Sequence, residues 1–333
     1  MNSAITPTLI NELGTMLSSP LMQRSFIAAI LVGLAAPIVG TYLVHRRLAM
    51  LGDGIGHIAL TGVALGWLAG TAMGAMQPEN YALPGAFIVS ILGAVTLEVI
   101  RIAGRTSSDV ALAMLFYGGI AGGVLLMGLA GGTSSQLNSY LFGSIATVTN
   151  SDIWAITVLT IIVLLVGIGL APALYSVCND EEFARSTGLP VNLLNLIIAI
   201  MAATTVAVAM RVVGALLVSA LMIVPVAISQ ILVRSFRSTI ALAMVIGMLT
   251  TVSGLTITYF HNLSPGAAIV VLAILIYAIV FLARPLIDRV PRKRRAVAEP
   301  PAIMHPERKQ QRQTHGKAQT QHAPTPSRNR SDE

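Results

Sequence analysis

Residues 24–47 read RSFIAAILVGLAAPIVGTYLVHRR. No charge falls between Arg24 and His45, and at about 1.5 Å of rise per residue the run is long enough to cross a hydrocarbon core of about 30 Å as one helix. It closes on His45, Arg46 and Arg47, as a span does where lipid meets water on the Arg-rich side. Outward from this stretch the pattern recurs near 55–76, 83–104, 109–130, 152–176, 190–210, 213–233, 238–260 and 266–284. The expected fold is all-α, a polytopic transmembrane helical bundle of about eight or nine spans. The pair on either side of Arg211 is readable as one broken element. Residues 131–150 are too polar to span easily, and Tyr140 to Val148 are expected to form a short interfacial helix.

Composition agrees. The 333 residues are 55% hydrophobic and only 11% charged, far below the roughly 25% charge of soluble domains, which argues against a soluble enzyme. The net charge of +7 does not mark a nucleic-acid binder, because the twelve cations and five anions from Arg284 onward carry the whole excess. They lie in a tail without the aromatics that stack bases. Cys178 is the only cysteine, so neither an intramolecular disulfide nor a Cys-rich zinc module is available. Met1–Pro20 has no basic start followed by an apolar run, so no cleaved leader is expected. The chain reads as an N-terminal segment (1–20), a membrane domain (21–290) and a disordered, basic, cytoplasmic tail (291–333), too poor in apolar residues to offset the entropy of ordering.

Arginines set the orientation. Arg46 and Arg47 follow the first span, Arg101 and Arg105 the third, Arg185 the fifth, Arg234 and Arg237 the seventh, and Arg289 to Arg295 the last. Every odd-numbered span therefore ends inside, with the N-terminus outside and the C-terminus cytoplasmic. Glycines four apart, Gly62, Gly66, Gly70 and Gly74 in the second span and Gly118/Gly122 and Gly119/Gly123 in the fourth, predict close helix packing in lipid.

Ionisable groups within a span are costly unless paired or functional, which singles out Asp53 and His57. At i and i+4 they share one helix face, and carboxylate plus imidazole suits zinc or a neighbouring transition metal. If the helix starts near Arg47, His57 lies about 15 Å in, close to the midplane. Two ligands are too few for a structural zinc site, so the pair fits a transient site, or half of one shared across a two-fold axis. The alternative is an Asp–His contact that only fixes packing. Gly52, Gly54 and Gly56 leave the backbone bare there. Glu98 and Asp109 are expected to pair with Arg101 and Arg105.

No Gly-x-x-x-x-Gly-Lys-Ser/Thr occurs, so this chain is not the ATPase by that motif, and neither His-Glu-x-x-His nor Gly-x-Ser-x-Gly is present. The inner loop between the fifth and sixth spans carries both signs: Asp180, Glu181, Glu182, Phe183, Ala184 and Arg185, then Gly188. A short helix ended by that glycine would present Phe183 and Arg185 to a soluble partner, with its acids at the N-terminal end.

Residues 45–66, HRRLAMLGDGIGHIALTGVALG, resemble the Arg-Arg-x-x-x-x-Gly-Asp-x-x-x-His-x-x-x-x-Gly-x-x-x-Gly segment of the zinc/manganese/iron family of ABC importer permeases. Residues 180–190, DEEFARSTGLP, are similar to that family's coupling segment, and YLFGSI (140–145), VGALLVSALMIVP (213–225) and SPGA (264–267) extend the likeness over about 20–284. Gly54 and Gly56 depart from it, since Ala and Ser are frequent there. The resemblance implies a fold like the vitamin-B12-type importer permease and a role as the membrane-spanning permease of an ATP-driven importer. The cargo would be zinc, with manganese or iron as alternatives, and no cofactor would be tightly bound. Asp53 and His57 would lie on the metal pathway, and Asp180 to Gly188 would couple to a separate ATPase subunit that binds ATP. Further implied partners are an extracytoplasmic metal-binding protein, a second permease copy and the bilayer of the cell membrane. A self-contained secondary transporter or a membrane scaffold are the rival readings.

Overall fold

The computed structural model describes residues 14–104, 107–144, 149–261 and 263–289. The expected tail, Arg105 and residues 145–148 lie outside these. By internal packing the chain divides into Met1–Pro285 and Leu286–Glu333, the second described only over 286–289.

The described residues contain no strand. The helices are α1 (Pro20–His45), α2 (Met50–Ala72), α3 (Ala82–Ala103), α4 (Ser108–Leu129), α5 (Ser134–Phe142), α6 (Asn150–Gly169), α7 (Ala171–Asn179), α8 (Glu181–Ser186), α9 (Val191–Ala209), α10 (Val218–Leu232), α11 (Phe236–Phe260) and α12 (Pro265–Arg289). Eight are long and apolar enough to cross a membrane: α1, α2, α3, α4, α6, α9, α11 and α12. The chain is a multi-pass membrane protein. Helices α1, α2 and α9 form the interior, with about 70% of their apolar window buried, whereas α3, α4, α6 and α12 bury under a third and turn the rest outward. Helix α2 packs on α3 and α4, α9 on α3 and α1, and α1 on α11, α10 and α6.

Four expectations change in detail. The seventh span, expected over 213–233, is a helix of only 15 residues, α10. Gly214 sits at φ 92°, a left-handed conformation open to glycine, and residues 210–217 run as irregular backbone between α9 and α10. Non-helical backbone at membrane depth must be satisfied by protein, and here the amides of Ala215 and Leu216 donate to the carbonyls of Tyr140 and Leu141 at 2.8 and 3.2 Å. The alternative reading, one broken element around Arg211, is the one the backbone follows, and α5 splints the break. Of the short helix expected over 140–148, residues 145–148 lie outside the described residues; Tyr140–Phe142 form the last turn of α5, which Thr133 and Gln136 open with a reciprocal cap and which stops at Gly143, φ 78°. The fifth span stops at Gly169, and Pro172 opens α7 as a separate helix. Helix α2 starts at Met50, not near 55, so Asp53 lies in its first turn.

The glycine stripes are close approaches, as expected in lipid. A Cβ on Gly66 would meet the Tyr81 carbonyl, and one on Gly119 would stand 2.6 Å from the His57 backbone. Gly74 and Gly118 face open space, so the stripes end there.

Candidate metal centre

Asp53 and His57 lie on one face of α2, with His57 Nε2 3.8 Å from Asp53 Oδ1. Measured from the start of α2, His57 lies about 10 Å along the helix, nearer the Arg-rich end than the midplane position expected. Three elements enclose the pair. Helix α4 presses Gly119 onto the His57 backbone and sets Phe116 edge-on to the imidazole, with centroids 4.2 Å apart. The irregular segment brings the Ala215 carbonyl against Gly56, where a Cβ would stand 2.7 Å from it. The N-terminal turn of α10 supplies Ser219, whose hydroxyl donates to Asp53 Oδ1 at 3.2 Å. The bare backbone at Gly54 and Gly56 therefore admits Leu112 of α4 and residue 215 of this same chain.

The two ligand atoms differ in access. The His57 side chain is 3% exposed and that of Asp53 29%, so the pair is reached from the carboxylate side. His57 Nδ1 is buried with no hydrogen-bond partner among the described residues. A polar atom left bare in this way costs about 1–3 kcal/mol. Among the described residues no group of three or more His, Cys, Asp or Glu side chains could hold a metal. Any ion here would therefore be bound by Asp53 and His57 with hydroxyl, carbonyl or water oxygens, a set suited to transient passage rather than storage. Sequence reasoning gives Ser219 no role, and no local spacing signals it, because it lies 166 positions from Asp53.

The inner acidic segment forms α8 with its residues divided. Asp180 caps the helix, accepting from the amides of Glu182 and Phe183 at 3.0 Å each, and Gly188 ends the motif at φ 83°. Ala184 is buried, while Glu182, Phe183 and Arg185 face out, Phe183 being 60% exposed. Glu181 turns inward. It accepts from Arg46 at 2.7 Å, Arg101 at 3.3 Å and Asn195 at 3.3 Å, tying α8 to the ends of α1, α3 and α9. Burial pushes the Glu181 carboxyl up, but the Arg46 and Arg101 guanidiniums and the hydrogen bonds outweigh it and hold the group below the usual carboxylate range. Glu98 pairs with Arg101 at 3.8 Å, as expected. Asp109 lies exposed in the first turn of α4, and its expected partner Arg105 is outside the described residues.

At the opposite end, an open cavity of about 760 Å³ is lined by Glu79, Gln136, Tyr140, Asp152 and Arg211 among others. Asp152 completes a cap with Thr149 and pairs with Arg211 at 3.5 Å, and Arg211 lies 5.8 Å from the Tyr140 ring centroid.

Residues 18–284 match the ABC 3 transport family. An uncharacterized membrane protein of Synechocystis is 31% identical, over 82% of this chain and 94% of its own length. The manganese transport system membrane protein MntC of Listeria monocytogenes is 30% identical, over 84% of this chain and 96% of its own. Among solved structures, PsaBC from Streptococcus pneumoniae in complex with Fab aligns with a TM-score of 0.72 at 28% identity, covering 82% of this chain and 95% of that one.

Proposed function

The chain belongs to the ABC 3 transport family, and from that premise we propose that it is the membrane-spanning permease of an ATP-driven importer for manganese. The observation that carries this reading is the convergence of the Asp53 carboxylate, the Ser219 hydroxyl and the His57 imidazole, whose Nδ1 has no hydrogen-bond partner among the described residues, beside the break between α9 and α10. Broken helices are where membrane carriers expose backbone and side-chain donors to an ion. A site of mostly oxygen donors with one imidazole favours manganese over zinc, and the named MntC relative supports that order. Zinc, the metal implied first by the sequence, is the second reading and iron the third.

In this mechanism an extracytoplasmic binding protein delivers the ion at the Arg211 end, and ATP is hydrolysed on a separate subunit docked at α8. Closure of that subunit moves α8, and through Glu181 it pulls on the ends of α1, α3 and α9 around the Asp53/His57 level. Two copies of the permease, or this chain and a paralogue, complete the pathway in the cell membrane, with the C-terminal end cytoplasmic.

The test is uptake of radioactive manganese, with zinc as competitor, in cells expressing the chain with its ATPase and binding protein. Asp53→Asn and His57→Ala are each expected to lower manganese uptake at least about tenfold, the loss of one strong ligand interaction. Unchanged transport in both variants removes the pathway assignment, and preferential zinc uptake reverses the order of metals.

A further inference from the structure

We propose that the cleft between α7 and α11 at the Arg-rich end of the bundle binds one anionic phospholipid. Its acyl chain would lie along the apolar wall and its phosphate between Arg234 and Arg237.

The cleft exists because Pro172 ends the run of α6 and turns the chain into α7, leaving an open space of about 1000 Å³ beside the first turns of α11. Ile168 and Pro172 form one wall, and Ile240, Ala241 and Met244 the other. From Arg237 to Met244 the α11 wall runs about 10 Å along the helix axis. The rim is aromatic and basic. Phe236 packs on Tyr175, His45 and Tyr42, with ring centroids 4.5, 5.0 and 5.6 Å apart. That places the rim level with the end of α1, where Arg46 meets Glu181. Tyr and Trp rings gather at this depth in membrane proteins because hydrocarbon gives way to water there.

Charge selects the occupant. Arg46, Arg101 and Arg211 are each held by a carboxylate, whereas Arg234 and Arg237 are exposed and make no ion pair among the described residues. Among the described residues no carboxylate lines the cleft. Ser235 stands at the N-cap of the 25-residue helix α11 without a side-chain cap bond, so the positive end of that helix adds to the two guanidiniums. A small soluble anion would have no use for the wall from Ile240 to Met244, and a zwitterionic lipid would bring its own cation to the arginines. An anionic glycerophospholipid satisfies both halves, as in other basic pockets between membrane helices.

The experiment reconstitutes the full chain in vesicles of phosphatidylcholine with a minority of phosphatidylglycerol, extracts it in mild detergent, and weighs the retained lipid by native mass spectrometry. The wild type is expected to hold one phosphatidylglycerol in preference to phosphatidylcholine. Arg234→Gln with Arg237→Gln is expected to lower that retention by roughly an order of magnitude, and Arg234→Lys with Arg237→Lys to keep it. Ala241→Trp, which fills the slot and leaves both arginines, is expected to lower it as well. Arg47→Gln with Arg185→Gln removes equal charge elsewhere on the same face and is expected to retain lipid like the wild type. Equal retention of the two lipids, full retention in the 234/237 glutamine variant, or equal loss in the 47/185 variant overturns the proposal. So does displacement of the lipid by inorganic phosphate alone. Loss of the ATPase subunit from the 234/237 variant with lipid retention intact assigns these arginines to a soluble partner instead.

Discussion

Asp53 is held by a serine and a histidine rather than by an arginine, and this choice of partners decides what the carboxylate can do. A guanidinium engages both oxygens of a carboxylate, whereas a hydroxyl contributes about 1 kcal/mol and yields to an incoming ion. The guanidiniums of Arg46 and Arg101 are engaged by Glu181 instead. Ser219→Ala is expected to lower manganese uptake by about two- to tenfold, the equivalent of one hydrogen bond, and less than Asp53→Asn does. Uptake measured at equal membrane expression checks this, and an effect as large as that of Asp53→Asn would make Ser219 a ligand in its own right. Asp53 and His57 were legible in the sequence because ionisable groups in an apolar span are costly to bury, and a spacing of four puts both on one face. Ser219 was not, since a hydroxyl near the start of an apolar helix carries no such signal until the fold sets it against α2.

At the scale of elements, α8 illustrates how one short segment divides its residues between holding on and reaching out. Its composition foretold a short helix closed by Gly188 with Phe183 and Arg185 exposed, and the structure has that helix. The inward turn of Glu181 depends on Arg46 lying 135 positions away and Arg101 80 away, which no local pattern encodes. Because the Glu181 carboxyl is held below its ordinary range, its contribution is fully present above the unfolded value of about 4.3 and is lost as pH falls through the lowered folded value. Hydrogen exchange of residues 181–187 is therefore expected to be flat from neutral pH down to about pH 5 after correction for intrinsic rates, then to rise on further acidification. Glu181→Gln is expected to speed it about fivefold at neutral pH, roughly 1 kcal/mol after allowance for solvent screening. Unaltered protection in that variant would show that Ala184 packing alone holds α8. Where helix ends differ from expectation, specific chemistry moved them: Pro172 shortened α6, the Thr133–Gln136 cap advanced α5, and Gly214 kept residues 213–217 out of α10.

For the whole molecule, the exposed Phe183 at one end and the polar cavity around Arg211 at the other give the bundle two dissimilar ends, and the proposed function assigns the Phe183 end to the ATPase subunit. Burying a phenylalanine at an interface contributes about 1.5–3 kcal/mol. Phe183→Ala is therefore expected to weaken co-purification of the ATPase subunit by about ten- to hundredfold, with the thermal stability of the isolated permease unchanged. Retention of the subunit at full strength would move the docking surface off α8. The sequence by itself determined that the chain is an all-helical membrane protein of about eight or nine spans and which α2 face carries the ionisable pair; it left the break near Arg211 as one of two readings. Those features follow from the length, period and cost of burying groups in hydrocarbon, all of which act within one segment. Only the tertiary structure decided that the α9–α10 connection is broken and splinted by α5, that Ser219 meets Asp53, that Glu181 faces inward, and that Arg234 and Arg237 border an apolar cleft. Each of these joins residues far apart in the chain. In lipid such meetings are settled by close packing and by polar groups finding partners between helices, not by the hydropathy pattern of any one helix.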